Sequence, residues 1–124
     1  MNSYELKKYI TEQYNSEEEH LWAKFPNYSV FRHNNNRKWF AAIMNVPKNR
    51  IGFQSDEMID ILNVKCDPVL IGSLLGEKGF YPAYHMNKSS WITVALDGSV
   101  DDEKIKWLID ISYDLTALKI KRKS

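Results

Sequence analysis

Tyr28-Ser29-Val30-Phe31-Arg32-His33-Asn34-Asn35-Asn36-Arg37-Lys38-Trp39-Phe40-Ala41-Ala42-Ile43-Met44-Asn45-Val46 is the stretch from which the fold can be read. Tyr28 to His33 is rich in residues that favour a pleated, half-buried backbone. Asn34, Asn35 and Asn36 tolerate positive φ and favour a tight turn. Lys38 to Val46 then resumes as a second extended run, so the spacing predicts a hairpin over Tyr28 to Val46.

Downstream, Pro47 to Gly52 reads as a loop carrying Lys48 and Arg50. Met58 to Lys65 fits either a helix or a strand by periodicity; its Ile and Val content and the following Asp67-Pro68 favour a strand. Asp67-Pro68 is a helix start, an N-cap followed by proline at the first helical position. Leu70, Ile71, Leu74 and Leu75 form that helix's apolar face, with Gly76 or Gly79 expected to end it. Tyr81 to Lys88 and Trp91 to Leu96 read as two further extended segments, the second closed by Asp97-Gly98.

Upstream, Asn2 or Ser3 can cap a first helix with Glu5 in its first turn, and Leu6, Tyr9, Ile10 and Tyr14 recur on one face. Glu17 to His20 reads as a polar connector. For the last helix, Ser99 with Asp102 resembles a capping box. Ile105, Trp107, Leu108, Ile109, Ile111, Leu115 and Leu118 cover a wide apolar arc on it, opposite Glu103, Lys106, Asp110, Asp114 and Lys121. The expected order is α-β-β-β-α-β-β-α: a two-layer α+β fold with one antiparallel five-stranded sheet and helices mostly on one face. Residues 1–124 form one domain, with 118–124 as a frayed basic tail containing Lys119, Lys121, Arg122 and Lys123.

The totals agree with such a domain. At 124 residues, with 44% hydrophobic and 27% charged residues, the chain is ordinary globular material. Four Trp, seven Tyr and five Phe are too many for so small a core, so some should line a groove or an interface. The lone cysteine, Cys66, allows no internal disulfide, which points to a reducing compartment. Residues 1–10 lack an apolar leader, and no apolar run approaches the ~18 residues of a membrane span. The expectation is a soluble, cytoplasmic protein. Net charge is +1, yet from His20 to Ser55 there are six basic residues and no acidic one. A near-neutral total can therefore conceal a basic face.

Few residues invite chemistry. His20, His33 and His85 are scattered among different elements, without the spacing of metal ligands. Cys66 at a strand-to-helix turn could have a lowered pKa, but a small buried residue at a chain reversal is the plainer reading. The glycines match no phosphate-binding loop. Asp97, Asp101, Asp102 and Glu103 suit helix capping and a polar turn. No catalytic residue, metal or cofactor is expected, and the chain reads as a binding protein without catalysis.

Two constellations remain. Arg32, Arg37, Lys38 and Trp39 on the hairpin, with Lys48 and Arg50 in the next loop, could meet phosphates while the aromatic stacks or packs in a groove. The same charges also suit a solvated edge hairpin. The second set, Lys65, Tyr84, His85, Asn87, Lys88 and Trp91, could line a pocket. As a strand, Tyr84, Met86 and Lys88 would share one face and His85 and Asn87 the other. Alternatively, Asn87 bonds backbone groups in a turn and Lys88 is solvated.

The chain also resembles the MmcQ/YjbR family. The matching stretches are Phe25-Pro26, Arg32 to Phe40, Asn63 to Pro68, Gly79 to Lys88, Trp91 to Val94, Leu96-Asp97-Gly98 and Ser112-Tyr113. One departure is Ser90, where the family often has His before the Trp, so a role for that His does not carry over. The resemblance implies a frataxin-like or secretion-chaperone-like α+β fold and a double-wing, DNA-binding label. The leading expectation is nucleic-acid (DNA) binding through the basic hairpin and loops. Alternatives are a protein-interaction or chaperone-like module or homodimer, and a small-ligand pocket around His85, Asn87 and Trp91.

Overall fold

Asn2 starts the first helix, α1 (Ser3–Tyr14), by a reciprocal cap. Its Oδ1 accepts from the Glu5 amide at 2.8 Å, and the Glu5 carboxylate accepts from the Asn2 amide at 3.1 Å. The computed structural model describes residues 1–118; Lys119, Lys121, Arg122 and Lys123 of the expected tail lie outside the described residues. Five strands follow α1: β1 (Ser29–Arg32), β2 (Trp39–Pro47), β3 (Met58–Lys65), β4 (Phe80–Pro82) and β5 (Trp91–Ala95). Helix α2 (Pro68–Leu74) lies between β3 and β4, and α3 (Asp102–Thr116) closes the order α-β-β-β-α-β-β-α. All pairings are antiparallel, in the order β1-β2-β3-β5-β4.

The two faces of the sheet differ. Leu6 and Ile10 of α1, Ile71 and Leu74 of α2, and Ile105, Leu108 and Ile109 of α3 join Phe31, Phe40, Ile43, Leu62, Val64, Ile92 and Val94 in one core. The other face carries Val30, Ala42, Met44, Val46, Ile59, Ile61 and Ala95, covered not by α-helices but by loops and by a single 3-10 turn, Lys48–Ile51, in the segment expected to be a loop. A β-bulge separates these sets on β2. Phe31 pairs with Ala41 and Arg32 with Trp39, leaving Phe40 as the extra residue. Phe40 and Ala41 thus both reach the helix-side core, while Trp39 packs against the loop side. The Phe40 carbonyl accepts from Ser112 Oγ at 2.6 Å, and that oxygen accepts the Lys65 amide at 2.8 Å, fastening α3 to β2 and β3.

Several local expectations need correction. Tyr84 to Lys88 is a succession of turns, because His85 takes a left-handed φ of 57° and the strand stops at Pro82. Ser99 does not cap α3: its amide and hydroxyl both bond Asp97 Oδ1, and Asp101 holds the N-cap position without a side-chain bond. Helix α2 ends at Leu74, ahead of Gly76, and Gly79 (φ 94°) makes the reversal into β4. The apolar arc of α3 is narrower than its sequence suggests, since Trp107, Leu115 and Leu118 are exposed. No helix among the described residues is long and apolar enough to cross a membrane.

Candidate binding site

Aromatic residues gather over the helix-free face. Between Trp22 and Tyr28 the chain makes two consecutive turns, with Phe25 N–H donating to Trp22 O at 3.1 Å and Tyr28 N–H to Phe25 O at 3.0 Å. A 2.9 Å contact between His20 Nδ1 and the Pro26 carbonyl ties the segment down. The Phe25 ring stacks on Tyr28 (4.7 Å, 9°), and Trp22 meets Tyr28 and Trp39 edge-on at 5.9 and 5.6 Å. With Met44, His85 and Met86, these four rings enclose a cavity of about 200 Å³. Tyr28 is buried, and burial, reinforced by its hydrogen bond with Tyr84, pushes its hydroxyl up to about 12. It is a neutral wall at physiological pH.

The loop opposite is held from beneath by a buried polar pair. Asn63 on β3 and Thr93 on β5 face each other across the sheet, fully buried. Asn63 Nδ2 donates to the Tyr84 carbonyl at 3.0 Å, while Thr93 Oγ1 accepts the Tyr84 amide at 2.9 Å. Both backbone groups of Tyr84 are therefore satisfied by the sheet, which fixes where the next residue projects. His85 then stacks on the Tyr84 ring at 4.0 Å and 16°. It lines the aromatic cavity on one side and, on the other, a cavity of about 480 Å³ with Arg50, Ile51, Gly52, Pro82, Ala83, Tyr84 and Lys88.

The YjbR family profile matches residues 5–115, from the first turn of α1 almost to the end of α3. The chain belongs to the YjbR family. It is 37% identical over 112 residues to the uncharacterised protein YyaQ of Bacillus subtilis strain 168, covering 90% of this chain and 95% of that one. The uncharacterised YjbR of Escherichia coli K12 matches more locally, 53% identical over 32 residues, or 26% of this chain and 27% of its own length. A crystal structure of a Pseudomonas syringae protein superposes with a TM-score of 0.92 at 44% identity, covering 94% of this chain and all of that one. A Deinococcus radiodurans crystal structure gives a TM-score of 0.69 at 25% identity, covering 92% of this chain and 77% of that one.

In this YjbR protein the cations expected on the hairpin are largely occupied. Glu19, just upstream of the acid-free stretch, forms a backbone bridge with Val30 and so returns to the hairpin. Its carboxylate lies 3.3 Å from Arg32 Nε, out of line for a hydrogen bond, and 3.2 Å from Arg37 Nη2. Arg32 also sits over the Trp39 ring at 6.0 Å. Lys48 pairs with Glu57 at 3.3 Å. Lys38 and Arg50 are exposed, and among the described residues no carboxylate lies within ion-pair distance of either. The hairpin is thus a mixed-charge surface, and Arg50 belongs with the second cavity.

The predicted pocket set divides in the same way. Tyr84, His85 and Lys88 come together, and Lys88, though exposed, donates from Nζ to the Ala83 carbonyl at 3.0 Å. Asn87 turns away; its Oδ1 accepts from the Ser89 amide and hydroxyl at 2.9 and 2.7 Å. Lys65 and Trp91 pair at the ends of β3 and β5 and line neither cavity. Trp22, Phe25, Tyr28, Met44 and Met86 are pocket residues that reading by segment missed. The available signal was the density of aromatics around Pro26, which becomes a site only when the turns gather them.

Other reactive side chains sit elsewhere. Cys66 is buried, and burial, with the Asp67 charge, pushes its thiol up to about 11, away from nucleophilic thiolate chemistry. His33 is buried against Tyr113 at 4.2 Å, with Nε2 2.8 Å from Thr116 Oγ1. Among the described residues, no three His, Cys, Asp or Glu side chains are grouped to hold a metal ion.

Proposed function

We propose that this YjbR protein is a non-catalytic binding protein that takes nucleic acid on its helix-free face, around His85. One observation carries the reading: His85 stands between a cavity walled by aromatic rings and a cavity bearing Arg50 and Lys88. Aromatic walls accept bases, at roughly 1–3 kcal/mol per stacked base, and neighbouring cations neutralise phosphates. The hairpin supports this less well than its sequence suggests, because Glu19 already holds Arg32 and Arg37. Lys38 remains available as an outlying phosphate contact. The lone buried Cys66 accords with a reducing compartment such as the cytoplasm.

Fluorescence anisotropy with labelled single-stranded and duplex DNA over a salt series tests the reading. Micromolar or tighter binding that weakens with salt, and that is lost in Arg50→Glu/Lys88→Glu, is the expected result. Absence of binding at low salt would refute it.

A second reading, a protein-interaction module or homodimer, is favoured by Trp107 and Leu115 exposed on α3, with Leu118 just beyond it. It predicts a mass that rises with concentration in light scattering and falls back in Trp107→Ser/Leu115→Ser.

A further inference from the structure

We infer that the aromatic cavity takes one unstacked base of single-stranded nucleic acid, with the adjoining phosphate held by Arg50 and Lys88. This rests on the nucleic-acid reading above and specifies its ligand. Size is the first argument. About 200 Å³ is below the roughly 300–1,000 Å³ of pockets for drug-sized molecules, so the cavity suits a single ring system.

Wall chemistry is the second. Trp22, Phe25, Tyr28 and Trp39 present ring faces and edges, Met44 and Met86 supply polarisable packing, and neither a carboxylate nor an ammonium lines the space. A neutral, planar group is therefore preferred over a charged one. Among the described residues, neither the indole N–H groups of Trp22 and Trp39 nor the ring nitrogens of His85 bond any protein group, although other His and Tyr side chains do. They are not buried, and so are free to exchange water for the polar edge of a heterocycle.

Charge is the third. Arg50 has no carboxylate within ion-pair distance among the described residues, and Lys88 is anchored to the Ala83 carbonyl with two ammonium protons to spare. A planar neutral ring joined by a short linker to an anion is the chemical outline of a nucleotide. A base within a duplex cannot enter such a cavity without leaving its stack, at a cost of a few kcal/mol. Single strands, whose bases are already free, should bind more tightly.

The experiment follows tryptophan fluorescence of a Trp91→Phe/Trp107→Phe protein, in which only Trp22 and Trp39 report. It is titrated with oligo(dT), with oligo(dA), with a duplex of equal length, and with an acidic peptide containing one tyrosine. Both single strands should quench the signal, and the duplex should bind at least tenfold more weakly. Phe25→Ala, at a half-exposed position, should weaken single-strand binding about tenfold. His85→Gly, which keeps the left-handed backbone, should do likewise.

If DNA binds with unaltered fluorescence, or if Phe25→Ala and His85→Gly bind single strands as the parent does, the base pocket is refuted while phosphate-driven binding stands. If no DNA binds in anisotropy, both readings fall. Quenching by the peptide alone would reassign the cavity to an aromatic side chain of a protein partner.

Discussion

The Thr93 hydroxyl donates to Asn63 Oδ1 at 2.5 Å inside the sheet, and the same two side chains bond both the amide and the carbonyl of Tyr84. Two strands thus use polar groups at buried positions, where β-branched or aliphatic residues would pack as well, to hold one residue of a loop. The cost of burying Asn and Thr is offset only while all their bonds are made.

Replacing Thr93 by Val keeps the shape and removes the hydroxyl, leaving the Tyr84 amide and Asn63 Oδ1 short of a partner. Urea unfolding should show a loss of about 1–3 kcal/mol. Hydrogen exchange at the Tyr84 amide should accelerate more than that at strand amides. If the loop amide stays as protected as before, the sheet does not position it.

Glu19→Gln removes the carboxylate shared by Arg32 and Arg37. Stability should fall by about 1–3 kcal/mol, because Arg32 and Glu19 are mostly covered and the buried Arg32 Nε loses the carboxylate beside it. Under the nucleic-acid reading, two released cations should raise DNA affinity and steepen the salt dependence by about one to two. Arg37→Ala in the parent protein should weaken DNA binding less than Arg50→Ala, because only Arg37 already has a counterion.

Gly79 and Gly52 provide a matched comparison. Both hold a positive φ (94° and 106°), but a Cβ on Gly79 would lie 2.5 Å from Val100 Cγ2, whereas nothing lies within 4 Å at Gly52. Gly52→Ala should cost about 1 kcal/mol for its backbone alone. Gly79→Ala should add a further ~1–3 kcal/mol of overpacking. Equal losses in thermal unfolding would mean that Val100 yields without strain.

Burial holds the pKa of His33 below the usual 6.5, against a hydrogen bond from its ring to the backbone of Tyr113 that works to raise it. Between the folded and unfolded values the unfolded chain binds more protons, so stability rises with pH. The contribution is complete above about 6.5 and is lost as pH falls through the folded value, at no more than about 1.4 kcal/mol per pH unit. Wild type should therefore lose more stability between pH 7 and 5.5 than His33→Gln, measured by Tm at each pH.

The order of elements was legible because it rests on local signals: the Asn34 to Asn36 turn, the Asp67-Pro68 start and the Asn2 cap all act within a few residues. The site was less legible because it depends on distant ones. Glu19 and Glu57 flank the basic stretch in sequence and fold back to neutralise Arg32, Arg37 and Lys48. Tyr84 to Lys88 has strand composition, but two bonds from β3 and β5 turn the chain before it can extend. Trp22, Phe25 and Tyr28 become neighbours of Met86 only through the tertiary fold.

The outer edges of the sheet bear on how any partner must approach. Along β1, Val30 exchanges both backbone bonds with Glu19 at 2.9 and 3.0 Å, and β4 is three residues long and ends in Pro82, which has no N–H to offer. Neither edge leaves a long row of free amides and carbonyls, so a peptide cannot enlist here as a sixth strand, and copies of the chain are discouraged from polymerising edge to edge. A partner is therefore met by side chains rather than by strand addition, and under the nucleic-acid reading those side chains are the ones around His85. Under that reading, partner choice can drift by single substitutions around His85 while the backbone scaffold stays as it is.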